Sequence, residues 1–284
     1  MKPIKTIATA LTLLSATALT AFADSSAAGL AGYVRYNTEG QMGWYTLDDK
    51  GATTFQWIDE LGEVNTSPMI FGWLRNGRIC GISSRSENGV IYNYDYIELD
   101  PKTGESYKIE SVPMHNEDDS PNYLANYKTA VYDSQADRVY GYGYNEDGTA
   151  FVFKSSTPDF KETKIIRTIP DDEYCYTLAY NDVDGRIVGF NRTDFVYISQ
   201  QTGEQTVAYS PRISNYQSTY TAMAYDLSKR KYYWNYFTKD GVSHMALVDL
   251  SGKEMAGVCD YTNLTQFSFM VMMGSQARPT APEA

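Results

Sequence analysis

Short runs dominated by aromatic and β-branched residues recur along the chain, and glycine, asparagine or aspartate ends most of them. Gly148 to Phe153 and Asp194 to Ile198 are typical, and several runs are apolar at successive rather than alternate positions. This length and content predict β-strands, and the missing alternation predicts strands covered on both faces. No stretch beyond the first two dozen residues holds a helical period over three turns. A small sheet buried on both faces must have another sheet on each side.

The runs also repeat. Ala130-Val131-Tyr132-Asp133 is followed by Arg138-Val139-Tyr140-Gly141, and Leu178-Ala179-Tyr180-Asn181 by Arg186-Ile187-Val188-Gly189. Met223-Ala224-Tyr225-Asp226 precedes Lys231-Tyr232-Tyr233, and a weaker copy pairs Ile70-Phe71-Gly72-Trp73 with Arg78-Ile79-Cys80-Gly81. The basic residues at 78, 138, 186 and 231 are 60, 48 and 45 apart, a spacing in the range of propeller blades. Two sets of turns recur in a fixed order. Asn37-Thr38-Glu39-Gly40, Ser86-Glu87-Asn88-Gly89, Asn145-Glu146-Asp147-Gly148 and Lys239-Asp240-Gly241 join a second strand to a third. Asp48-Asp49-Lys50-Gly51, Pro101-Lys102-Thr103-Gly104, Gln200-Gln201-Thr202-Gly203 and Leu250-Ser251-Gly252 join a third to a fourth. Glycine supplies the positive φ such hairpins need, so each repeat predicts four antiparallel strands.

Counting strands predicts the architecture. Four complete units occupy about 67–110, 127–168, 175–209 and 220–258, whereas Leu30 to Ile58 supplies three strands and Gln266 to Met273 one. The expectation is an all-β, five-bladed propeller of four-stranded antiparallel blades, closed by the C-terminal strand joining the N-terminal blade.

Residues 1–23 read differently. Lys2 and Lys5, an apolar stretch from Ile7 to Leu19 and Ala21-Phe22-Ala23 make a secretory signal peptide, with the mature chain starting near Asp24. The propeller domain is then 24–274, and 275–284 is a proline- and alanine-rich linker or tail. Export to the periplasm, cell surface or extracellular space follows, without membrane insertion, because no later segment approaches the ~20 apolar residues of a span.

Charge narrows the partners. The 24 basic and 35 acidic residues give −11, and losing Lys2 and Lys5 leaves 22 against 35, or −13. Nucleic acid is excluded, since neutralising phosphates takes a basic face. Cys80, Cys175 and Cys259 are odd in number and far apart, which is neither a disulfide framework nor a C-x-x-C metal site and allows at most one pair and one free thiol, and His115 and His244 cannot alone build a three-His zinc site. No cofactor or metal is expected. Asn181-Asp182-Val183-Asp184-Gly185 lacks the first and last ligands of a calcium loop and reads as a hairpin turn.

The Tyr-Asp, Arg-Val-Tyr-Gly and Asp-Pro-Lys-Thr-Gly elements resemble the degenerate repeats of secreted bacterial propellers of the YVTN and quinoprotein-like group, especially in surface proteins of Bacteroidetes-type bacteria. The resemblance spans roughly 28–273 and implies the fold and a multidomain setting. No functional residue is carried over by it.

Candidate chemistry falls on the loops leading into the innermost strands, which form one rim of the funnel. His115, Asp118, Asp119, Tyr123 and Tyr127 lie on the longest loop, Tyr174 and Tyr176 on the next, and Arg212, Tyr216 and Tyr220 on a third. Aromatic rings beside amide, acid and basic groups suit stacking on, and hydrogen bonding to, a sugar or peptide. No acid stands at the start of an inner strand, where a glycan-cleaving propeller would place its carboxylates. The function read from the sequence is a non-catalytic module, monomeric or part of a longer chain, that binds a glycan or a peptide or protein ligand. The alternatives are a glycan hydrolase using loop carboxylates and a structural spacer.

Overall fold

The computed structural model describes residues 29–37, 43–47, 53–57, 69–87, 90–99, 106–113, 127–261 and 264–272. Both ends of the chain, with the predicted signal peptide and tail, lie outside these residues.

The described strands form four-stranded antiparallel sheets. β1 (Leu30–Asn37), β2 (Gly43–Leu47) and β3 (Thr53–Trp57) follow one another in the first. β4 (Met69–Arg75), β5 (Arg78–Glu87), β6 (Val90–Leu99) and β7 (Ser106–Pro113) form the second. The third holds β8 (Tyr127–Asp133), β9 (Arg138–Tyr144), β10 (Phe151–Ser156) and β11 (Thr163–Thr168). β12 (Thr177–Asn181), β13 (Arg186–Phe190), β14 (Phe195–Ile198) and β15 (Gln205–Tyr209) make the fourth. In the fifth are β16 (Tyr216–Asp226), β17 (Lys231–Thr238), β18 (Ser243–Asp249) and β19 (Glu254–Tyr261). β20 (Leu264–Met272) lies antiparallel on β1, with Leu30 opposite Met272 and Ala31 opposite Val271.

One edge strand of each sheet packs on its counterpart in a neighbouring sheet: β20 on β4, β4 on β8, β8 on β12, β12 on β16 and β16 on β20. These strands surround a central channel enclosing about 120 Å³, with walls made partly of small residues such as Gly72, Ala130, Ala179 and Ala224. Four-stranded sheets set radially around a channel are a β-propeller.

The core sits between sheets, as the runs without alternation require. One cluster joins Trp73, Cys80 and Tyr96 to Tyr132 and Phe160, and a second joins Val131, Tyr140 and Phe153 to Leu178 and Val196. A third joins Phe190 and Phe195 to Trp234 and Val248, and a fourth packs Leu30, Met270 and Met272 on Ala224, Tyr233 and Met245. Burying one such aliphatic or aromatic side chain contributes about 1.5–3 kcal/mol, so each of these four clusters is a substantial core.

The repeat motif has a local cause. At the end of an inner strand, Asp133 Oδ1 accepts from the backbone N–H groups of Gln135 and Ala136, and Asp226 Oδ1 from those of Ser228 and Lys229. Asn181 Oδ1 accepts from Val183 N–H in the same way, and Gly185 completes that hairpin at φ +68°. The aspartate-rich stretch at 181–185 is therefore a turn, as its sequence indicated. Two strands begin later than their composition suggests. Thr149 and Ala150 belong to the β9–β10 turn and Asp194 to the β13–β14 turn.

Candidate functional site on the funnel face

The loop into β12 is built stiffly. Asp171–Glu173 forms one 3-10 turn after Pro170, and Arg167 clamps the Glu173 carboxylate with both terminal nitrogens, at 2.6 and 3.1 Å. Arg167 also donates to the Gly203 carbonyl. Gln205 donates to the Glu173 carbonyl and, at 2.9 Å, to the Tyr142 hydroxyl. A two-point guanidinium–carboxylate contact fixes direction as well as distance, so Tyr174 and Tyr176 stand on a braced support.

From that support a strip of half-buried rings extends both ways. Tyr174 meets Tyr176 edge-on with centroids 4.9 Å apart, and meets Phe151 at 5.2 Å. Phe151 stacks on Tyr144 at 4.6 Å because the β9–β10 register sets the two residues directly opposite. Lys128, an exposed residue of β8, closes this end with its ammonium 5.5 Å from the Tyr144 centroid. At the other end Arg192 lies 5.1 Å from the Tyr176 ring and donates its Nε–H to the Tyr176 hydroxyl at 2.6 Å. Arg192 has φ +89°, an unusual value for a side-chain-bearing residue and one that marks local strain. Tyr176, Lys128 and Thr221 also line the channel, so the strip runs across its mouth.

A second group continues beyond Arg192. Tyr216 packs edge-on against Phe190 at 5.2 Å, and its hydroxyl is shielded from solvent without a hydrogen-bond partner. Tyr236 stacks on Trp234 at 4.4 Å and on His244 at 5.0 Å. His244 is held between Asp260, 2.7 Å from Nδ1, and the Thr238 hydroxyl, 2.9 Å from Nε2. That hydroxyl also donates to Asp240 and so holds the Asp240 carboxyl below the usual carboxylate range.

Burial sets the other electrostatic features. It raises the Tyr174 and Tyr216 phenols, with neighbouring Tyr176 adding to the rise in both, and partial desolvation lowers the Lys128 amine although the residue as a whole is exposed. Lys154 is fully buried. Its ammonium lies 4.5 Å over the Tyr127 ring and donates to the Tyr144 carbonyl, and desolvation brings it down to about 7.

The residues singled out from sequence separate into groups. Tyr174 and Tyr176 lie together, and Tyr216 lies close enough for Tyr176 and Arg192 to bear on its ionisation. Arg212 is exposed on the β15–β16 loop at φ +50°. Tyr220 is a position within β16, where the pairing with β17 shifts between Gln217 and Ala222. Tyr127 corrects the expectation of a surface contact. It is 2% exposed, shares a hydrogen bond with the Ser156 hydroxyl and meets Phe160 edge-on, because it opens β8 facing the neighbouring sheet. His115, Asp118, Asp119 and Tyr123 lie outside the described residues. Lys128, Tyr144, Phe151, Arg192 and Tyr236 were not foreseen, although the turns between second and third strands share this face and carry or flank most of them. Among the described residues, no group of three His, Cys, Asp or Glu is placed to hold a metal ion, and no helix is long and apolar enough to cross a membrane.

No protein family profile matches the chain, and no curated protein matches it. Solved structures do. The chain is similar to the extracellular domain of a protein described as a hybrid two component system from B. thetaiotaomicron, with 10% identity and a TM-score of 0.41 over 84% of this chain and 29% of that one. It is also similar to TolB from Acinetobacter baumannii, with 10% identity and a TM-score of 0.46 over 81% and 52%. For the periplasmic gluconolactonase of Pseudomonas aeruginosa the values are 12% and 0.48, over 82% and 83%. The chain therefore spans less than a third of the first of these and about half of the second. None of the three likenesses bears on ligand or activity.

Proposed function

We propose that this chain is an exported, non-catalytic β-propeller that binds an oligosaccharide on the funnel face. The strand order supports a five-bladed ring in which β20 completes the blade of β1 to β3. Lys2, Lys5 and the Ala21-Phe22-Ala23 site support export, with the mature chain starting near Asp24.

The carrying observation is the continuous strip from Tyr144 through Phe151 and Tyr174 to Tyr176 on a braced loop at the channel mouth. Sugar rings present an apolar C–H face and a polar rim, and half-buried tyrosines offer the complementary surface. A peptide partner would call for a pocket taking an apolar anchor. Among the described residues, the exposed large hydrophobics Val183 and Val207 lie on the β12–β13 turn and on β15, outside the strip. Cleavage would need two facing carboxylates about 5–9.5 Å apart, and Glu173, the acid nearest the strip in sequence, is occupied by Arg167.

The test is a glycan array followed by titration calorimetry on the mature chain. Binding that Tyr176→Ala and Tyr174→Ala reduce about tenfold or more, without sugar release, supports the reading. Reducing-end sugar appearing with time would overturn it in favour of the hydrolase, and no binding to any glycan would leave the structural spacer.

A further inference from the structure

The two ends of the strip share one property. Lys128 and Arg192 are exposed cations, each placed over an aromatic ring, and neither has a carboxylate partner among the described residues. Several other cations are committed, as Arg75 is to Asp137, Arg167 to Glu173 and Lys229 to Asp226, whereas these two stand at the ends of the aromatic strip. Arg192 spends only its Nε–H, on Tyr176, so both terminal nitrogens of the guanidinium remain available. That is the geometry which grips a carboxylate at two points, and the Tyr176 hydroxyl holds it in orientation beforehand. Unpaired cations here are the more telling because the chain carries −11 overall and would repel a polyanion elsewhere.

We propose that the strip takes a carboxylated sugar chain, such as an oligomer of hexuronic acids, with its rings on Tyr144, Phe151, Tyr174 and Tyr176 and its carboxylates on Arg192 and Lys128. This rests on the oligosaccharide-binding reading and adds the ligand's charge and its anchors. The positive φ of Arg192 fits the assignment, since strain is retained where a side chain must point in one direction.

The experiment titrates the mature chain with a panel of hexuronate tetrasaccharides, tetragalacturonate among them, with their carboxyl-reduced neutral counterparts, and with tetraglutamate. The expected result is binding of at least one uronate about tenfold or more tighter than its neutral counterpart, weakening as salt rises from about 0.05 to 0.5 M. Arg192→Gln should abolish that preference with an unchanged melting curve, and Arg192→Lys should restore it only in part because an ammonium lacks the two-pronged fork. Lys128→Gln should reduce it less. Neutral and carboxylated sugars binding equally, with loss only on Tyr176→Ala, would overturn the charge assignment and leave the oligosaccharide reading standing. Tetraglutamate binding as tightly as any uronate would overturn the sugar assignment. No glycan binding at all would overturn both readings.

Discussion

Gln200, on the turn between β14 and β15, donates its Nε2–H to the buried Asp133 carboxylate at the end of β8, 2.6 Å away in the neighbouring sheet. The other carboxylate oxygen already accepts the N–H groups of Gln135 and Ala136, so one side chain both closes a hairpin and ties two sheets. Related ties run around this side of the ring, from Ser134 to Asp182, Asn181 to Tyr232 and Arg75 to Asp137. Asp133→Ala leaves two backbone donors and the Gln200 amide without their acceptor. It is expected to cost about 2–4 kcal/mol, against about 1 kcal/mol for Gln200→Ala. Urea denaturation monitored by tyrosine and tryptophan fluorescence measures both. Equal, small losses would mean the tie is not structural.

The glycine of the Arg-x-x-Gly motif has a steric reason. A Cβ on Gly189 would stand 2.6 Å from Cys175 Sγ and 2.9 Å from its Cβ, and one on Gly141 would run into the Thr129 carbonyl and the Tyr127 ring. Gly189→Ala and Gly141→Ala should each cost about 1–3 kcal/mol, with Gly141→Ala the worse because a backbone atom cannot swing aside. In a chain of this size that lowers the melting temperature by about 2–10 °C. Calorimetry of the two variants gives the ranking.

These positions also show what was legible in the sequence. Asp133, Asn181 and Asp226 recur because each caps a hairpin, and Gly141 and Gly189 recur because a residue in or just before an inner strand approaches closely, so the repeat could be read from turn and backbone chemistry alone. The funnel face was legible as a set of loops but not as a set of side chains. Tyr127 and Lys128 are adjacent, yet the first is buried between sheets and the second is exposed at the channel mouth. The pairing of β8 with β9 shifts between Tyr127 and Thr129, and such a shift leaves no compositional mark. Arg192 escaped notice for a similar reason. Its contact with Tyr176 depends on a positive φ inside the Asn191 to Asp194 turn, which nothing in the residue types announces.

Lys154 gives the fold a pH dependence whose sign is fixed. Its folded-state value of about 7 lies below the ordinary 10.5, so between those values the unfolded chain binds more protons and stability rises with pH. Below about pH 7 the folded protein must carry a buried ammonium, and the full penalty applies. Above about pH 10 the buried phenols act oppositely, because burial raises Tyr127, Tyr142 and Tyr232 and the unfolded chain loses those protons first. Lys154→Met keeps much of the volume and removes the charge. It should raise the melting temperature by several degrees at about pH 6 and by clearly less at about pH 9, where part of the penalty has gone. An equal shift at both pH values would show that the amine does not titrate in this range.

Leu30 and Met272 stand opposite each other in the β1–β20 ladder and share one buried cluster with Met270, Ala224 and Tyr233. If the ring is held shut there, β20 serves three neighbours at once: the hydrogen-bonding edge of β1 and the faces of β4 and β16. Ending the chain after Tyr261 would uncover the β1 edge and the apolar side chains of that cluster together, a combination that templates association between chains. The truncated chain is expected to elute as soluble aggregate in size-exclusion chromatography, or to lose its cooperative melting transition. Met270→Asp tests the same joint without shortening the chain, since an unpaired carboxylate at a position only 4% exposed should cost about 3 kcal/mol or more. A monomeric truncation that melts like the full chain would show that β1 to β3 hold their place without the last strand.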